Sequence, residues 1–75
     1  MSFQAYLDNI QTKTGKSPAD FKSMAAEKGF ADSGGLTAGT KAGMIIDWLK
    51  QEFDLGHGHA MAIVALLKGA KKPGD

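Results

Sequence analysis

The sequence predicts an all-α domain, a compact bundle of about four short helices. Three observations predict it. Apolar residues recur at helical spacing in four separate stretches, and glycine, proline and capping residues divide those stretches from one another. No stretch shows the strict alternation of a half-buried strand, so no strand is expected.

The first helix is expected over residues 3–14. Phe3, Tyr6, Leu7 and Ile10 stand at i, i+3, i+4 and i+7, one stripe of a helix, and Gly15 can end it in a left-handed cap. Ser17-Pro18-Ala19-Asp20 then supplies a capping serine, a proline at the first helical position and a carboxylate in the first turn. The second helix runs from there to about residue 28 and buries Phe21, Met24 and Ala25. Gly29 is its stop, and Phe30 sits where a Schellman cap folds an apolar residue back on the helix end.

Residues 31–39, ADSGGLTAG, hold three glycines and no periodicity, and read as a loop, the most mobile segment of the chain. Thr37 or Thr40 is expected to cap the helix that follows. That third helix, over about residues 41–54, has a broad apolar arc: Ala42, Met44, Ile45, Ile46, Trp48, Leu49 and Phe53 fill roughly half its circumference, opposite Asp47, Lys50, Gln51 and Asp54. It therefore touches two or more neighbours. Gly43 in its first turn costs about 1 kcal/mol against alanine and suits close packing.

The fourth helix, from residue 58 or 59 to 68, contains AMAIVALL and has no polar face. Such a helix is central to the core or covered by another chain. Ala62 and Ala65 make one side thin, and Ile63, Leu66 and Leu67 make the other thick. Residues 1–70 thus form a single helical domain, with residues 71–75 a polar, flexible tail. No internal repeat is present.

At 75 residues the chain is near the size at which one core only just outweighs conformational entropy, so a partner subunit would matter to its stability. The absence of cysteine excludes disulfides, thiolate metal sites and thiol redox chemistry. The opening MSFQAYLDN has no secretion-signal pattern and the apolar run 60–67 is too short to span a membrane, so a cytoplasmic protein is expected. A net charge of +1 gives no general pull toward nucleic acid, and all nine cations are lysine. Without arginine, bidentate reading of guanine or phosphate is disfavoured, though loose phosphate contacts are not.

The run from Thr40, TKAGMIIDWLKQEFDLGHGHAMA, together with the opening FQAYLDNIQTKTGKSP, resembles a family of small, chiefly bacterial proteins classed as domain of unknown function 4287. Its most specific parts are Trp48-Leu49-Lys50 and Leu55-Gly56-His57-Gly58-His59-Ala60, and the likeness covers nearly the whole chain. The resemblance implies a stand-alone cytoplasmic helical domain, found in other proteins fused to further domains. It carries no established activity, and no catalytic residue transfers from it.

Candidate sites centre on LGHGHAMA. His57 and His59 form an H-x-H pair, but a metal needs three or four ligands, and two positions apart on a helix the side chains diverge. No metal or cofactor is expected. Counting from His59, Ile63 and Leu66 lie at i+4 and i+7, so His59 belongs to the inward stripe and is expected to be neutral and hydrogen-bonded.

Glu52 falls within the apolar arc of the third helix, where a carboxylate needs a partner. It is expected to accept a hydrogen bond from His57 or His59, or from backbone N–H groups at the start of the fourth helix. The functional alternative for Gly56-His57-Gly58-His59 is anion capture at a helix start, with Lys41 as a further anion contact.

The stretch from Gly34 to Lys41 superficially resembles a P-loop, but it ends G-T-K and no strand precedes it. Trp48 reads as core. Ser2, Ser17, Ser23 and Ser33 show no spacing that predicts a nucleophile.

The leading expectation for function is a non-enzymatic binding or interaction module that self-associates as a homodimer through helices three and four. The alternatives are a nucleic-acid module, resting on lysines 13, 16, 22, 28 and the tail, and an anion or small-molecule binder at the Gly56–His59 turn.

Overall fold

The computed structural model describes residues 2–32 and 35–74. Ser33 and Gly34, in the stretch expected to be the most mobile loop, lie outside the described residues, as do Met1 and Asp75. Four helices carry the fold: α1 (Phe3–Thr14), α2 (Pro18–Glu27), α3 (Ala42–Phe53) and α4 (His57–Lys68). Between α2 and α3, β1 (Ala31–Asp32) pairs antiparallel with β2 (Gly35–Leu36).

Local chemistry sets the helix ends. Ser2 accepts from the Ala5 N–H at the start of α1, and Gly15 ends that helix at φ 74. Ser17 and Asp20 form a complete capping box on α2, the Ser17 hydroxyl accepting from the Asp20 N–H and the Asp20 carboxylate from the Ser17 N–H. At the other end, Phe30 N–H donates to Ala25 C=O and Gly29 N–H to Ala26 C=O, the paired bonds of a Schellman cap.

Asp54 ends α3 in the left-handed region, φ 53, one residue short of the expected boundary. Lys13 Nζ donates to its carbonyl at 2.7 Å and ties the end of α1 to this corner.

Helix α4 is the shared partner of α1, α2, α3 and β2. It buries Ala60, Ala62, Ile63, Val64, Leu66 and Leu67 against Phe3, Leu7, Ile10, Phe21, Ala25, Ile45, Trp48 and Leu49. The expectation that its apolar circumference makes it the centre of the core holds, and its own chain covers most of it. Trp48 is core too, set edge-on between the rings of Phe30 and Phe53.

Three local expectations are corrected. A small sheet exists where none was expected: two residues per strand leave no periodicity to read, and the pairing is continued by Thr37 N–H donating to Phe30 C=O. Neither threonine caps α3. Lys41 occupies that position without a side-chain bond, because the Thr37 hydroxyl donates to Gly29 C=O and meets the Thr40 hydroxyl at 2.7 Å. Helix α4 starts at His57, a turn-edge earlier than expected, with Gly56 in extended conformation before it.

Beyond α4 the chain returns along α1. Lys71 Nζ lies 5.9 Å from the centroid of the Phe3 ring, and Gly74 N–H donates to Gln4 Oε1 at 2.7 Å.

Candidate functional site

The Gly56–His59 corner is built from two helix ends. The left-handed Asp54 turns the chain out of α3, Leu55 is buried, and Gly56 precedes α4 with no side-chain cap on its first-turn N–H groups. His57 is exposed. His59 is half-buried, its ring edge-on to Tyr6 with centroids 5.0 Å apart. A Cβ on Gly58 would lie 3.7 Å from the Tyr6 ring and hydroxyl, so α1 and α4 run close at this end.

In place of the expected hydrogen-bond partner, His59 makes this ring contact with Tyr6.

Glu52 does not join the corner. Its carboxylate lies 3.3 Å from Lys28 Nζ, at the end of α2, and is half exposed. Its pKa is lowered from the ordinary 4.5 first by the Trp48 indole N–H; desolvation opposes this, and Lys28 adds smaller lowering effects. The indole falls short of a true bond: Trp48 Nε1 is buried and has no partner in hydrogen-bond geometry among the described residues. Proximity therefore acts electrostatically. The expected Glu52–histidine bond is overturned because this face of α3 turns to α2, whereas the start of α4 turns to α1.

Lys41 is also apart. It sits at the start of α3, and a helix of 12 residues separates its ends by about 18 Å, with the corner at the far end. Of the residues expected at one site, only Gly56, His57, Gly58 and His59 are together.

Two concave surfaces had no signal in the sequence. A shallow groove of about 360 Å³ runs between α1 and α4, lined by Phe3, Tyr6, Gly58, Met61, Ala62 and Ala65, with Lys71 at its rim. Met61 stands out of α4 here at 42% exposed, one of two large apolar side chains with that much exposure among the described residues; the other is Met44 on α3 at 45%. Tyr6 was legible as part of the α1 stripe, and its place on this wall was not.

The second surface is a deeper cleft of about 560 Å³ where α2, the β1–β2 hairpin and the end of α4 meet. Among the described residues no three histidine, aspartate or glutamate side chains gather into a metal-sized cluster, and no helix is long and apolar enough to cross a membrane.

A family model described as "Domain of unknown function (DUF4287)" matches residues 2–69. No curated protein and no solved structure matches the chain.

Proposed function

The chain belongs to the DUF4287 family, and from the shape of its α1–α4 face we propose that it is a non-enzymatic binding module whose partner is a second copy of itself. One observation carries the reading: Met61 is both a protruding side chain and a wall of the groove beside it. A two-fold interface needs a patch that complements itself, and a knob next to a groove does so when each copy seats its Met61 against the other's Phe3 and Tyr6.

The soft, unbranched Met side chain adapts to such a wall, and Gly58, Ala62 and Ala65 let the backbones approach. The face proposed for self-association is therefore the α1–α4 side, in place of the pairing through helices three and four expected from the sequence. A domain this small also gains most from a partner's added burial.

Sedimentation at rising protein concentration tests the reading. A concentration-dependent dimer that Met61→Ser and Tyr6→Ala each shift to monomer, with helicity retained, is the expected result. A monomer throughout the accessible range overturns it.

The nucleic-acid alternative has weaker support. Lys13 is spent on the Asp54 carbonyl and Lys28 on Glu52, so two of the four lysines that motivated it in α1, α2 and their ends serve the fold.

A further inference from the structure

We infer that the cleft between α2, the β1–β2 hairpin and the end of α4 is a binding site for a small amphiphilic anion, one carboxylate or phosphate head on an apolar body. The cleft, about 560 Å³, falls within the size range of small-molecule sites. Its lining divides by chemistry. Ala26, Ala31, Leu66 and Leu67 form an apolar wall, while Lys22, Ser23 and Lys68 bring two cations and a hydroxyl to it from two different helices.

The charge on that lining is unbalanced. Lys28 and Lys13 have partners within the fold, but no ion pair or hydrogen bond engages the ammonium of Lys22 or Lys68 among the described residues. The one carboxylate on the lining, Asp32, is already engaged in a contact of its own. The carbonyl end of α4 opposes an anion; the Gly69 and Ala70 N–H groups engage the Leu66 and Ala65 carbonyls, and Gly35 packs closely on that of Lys68, where a Cβ would sit 3.2 Å away. The lining therefore carries two lysines and the serine Ser23 beside an apolar floor, against the single carboxylate of Asp32. An anionic head matches the first and an aliphatic or aromatic body the second.

This site is distinct from the α1–α4 groove, and nothing in it depends on self-association. The test is an amide-shift titration of the intact chain with octanoate, with octylammonium and inorganic phosphate as matched probes. Saturable shifts at Lys22, Ser23, Ala31, Gly35, Lys68 and Gly69 with octanoate, weaker binding of phosphate and none of octylammonium are expected.

Lys22→Gln and Lys68→Gln should each weaken octanoate binding by about tenfold, the loss of one charge-assisted bond, with an unchanged melting temperature. Lys71→Gln, on the other groove, should bind like the parent. Equal response to octanoate and octylammonium, phosphate binding as tightly as octanoate, shifts centred on Phe3, Tyr6 and Met61, or parental affinity in the double lysine variant would each overturn the assignment.

Discussion

The rings of Tyr6 and His59 meet edge-on, their centroids 5.0 Å apart and their planes at 82°, and this contact joins α1 to the first turn of α4. An edge-to-face pair contributes about 0.5–1.5 kcal/mol beyond the area it buries. A double-mutant cycle of Tyr6→Leu and His59→Leu, read by urea unfolding, should give a coupling energy in that range. Additive losses would mean that the two rings are neighbours without an interaction of their own.

Gly35 and Gly15 both have positive φ, 120 and 74, but only Gly35 is crowded. Alanine at Gly15 meets nothing within 4 Å and should cost only the strain of a left-handed residue, about 1–2 kcal/mol. Alanine at Gly35 adds the clash with the Lys68 carbonyl, so its loss of stability should be the larger of the two. Thermal unfolding of the two variants side by side decides this.

Removing the capping hydroxyl with Ser17→Ala should destabilise the domain by about 1 kcal/mol. The variant also strips Asp20 of the hydroxyl half of its box. Hydrogen bonds from the Ser17 backbone N–H, first, and then the Ser17 side chain hold the Asp20 pKa below the ordinary 3.8. The urea midpoint measured against pH would show whether the parent's advantage narrows in acid.

Glu52 follows the same sign. Its folded pKa lies below the ordinary 4.5, so its contribution to stability is complete above that value and is lost as pH falls through the lower, folded one. Glu52→Gln should therefore unfold at lower urea than the parent at neutral pH and match it in strong acid. The Trp48 indole proton resonance should titrate with Glu52 in the parent and stay fixed in the variant; an indole signal indifferent to Glu52 would contradict the electrostatic link between them.

Ile63 is fully buried on the central helix. Shortening it to valine should cost about 0.5–1.5 kcal/mol, and to alanine about 2–5 kcal/mol, a large share of what a domain of this size has. Calorimetry on the valine variant gives the measurement, since the alanine variant is expected to lose cooperative unfolding.

The helices were legible in the sequence because their causes are local. The Ser17-Pro18-Asp20 start, the Gly15 stop, the Schellman cap at Phe30 and the AMAIVALL core helix all follow from residues within a turn or two of one another. The hairpin was not, since two-residue strands depend on what they lie against, here the end of α4.

Glu52 was recognised as a carboxylate out of place on an apolar arc, yet its partner was misassigned: Lys28 is 24 positions away, and only the packing of α2 on the aromatic cluster brings it near. Both concave surfaces are of the same kind. Each joins residues far apart in the chain, and no local pattern announces such meetings.

Because α1, α2, α3 and β2 all pack against α4, the last of the four helices is the one on which the others assemble. During synthesis the segment before α4 leaves the ribosome with its apolar stripes unsatisfied, so tertiary structure waits for the chain to be released as far as Lys68. The domain is therefore expected to fold in one step after its own translation and not by stages, and a peptide ending before His57 should remain open however well its individual helices are capped.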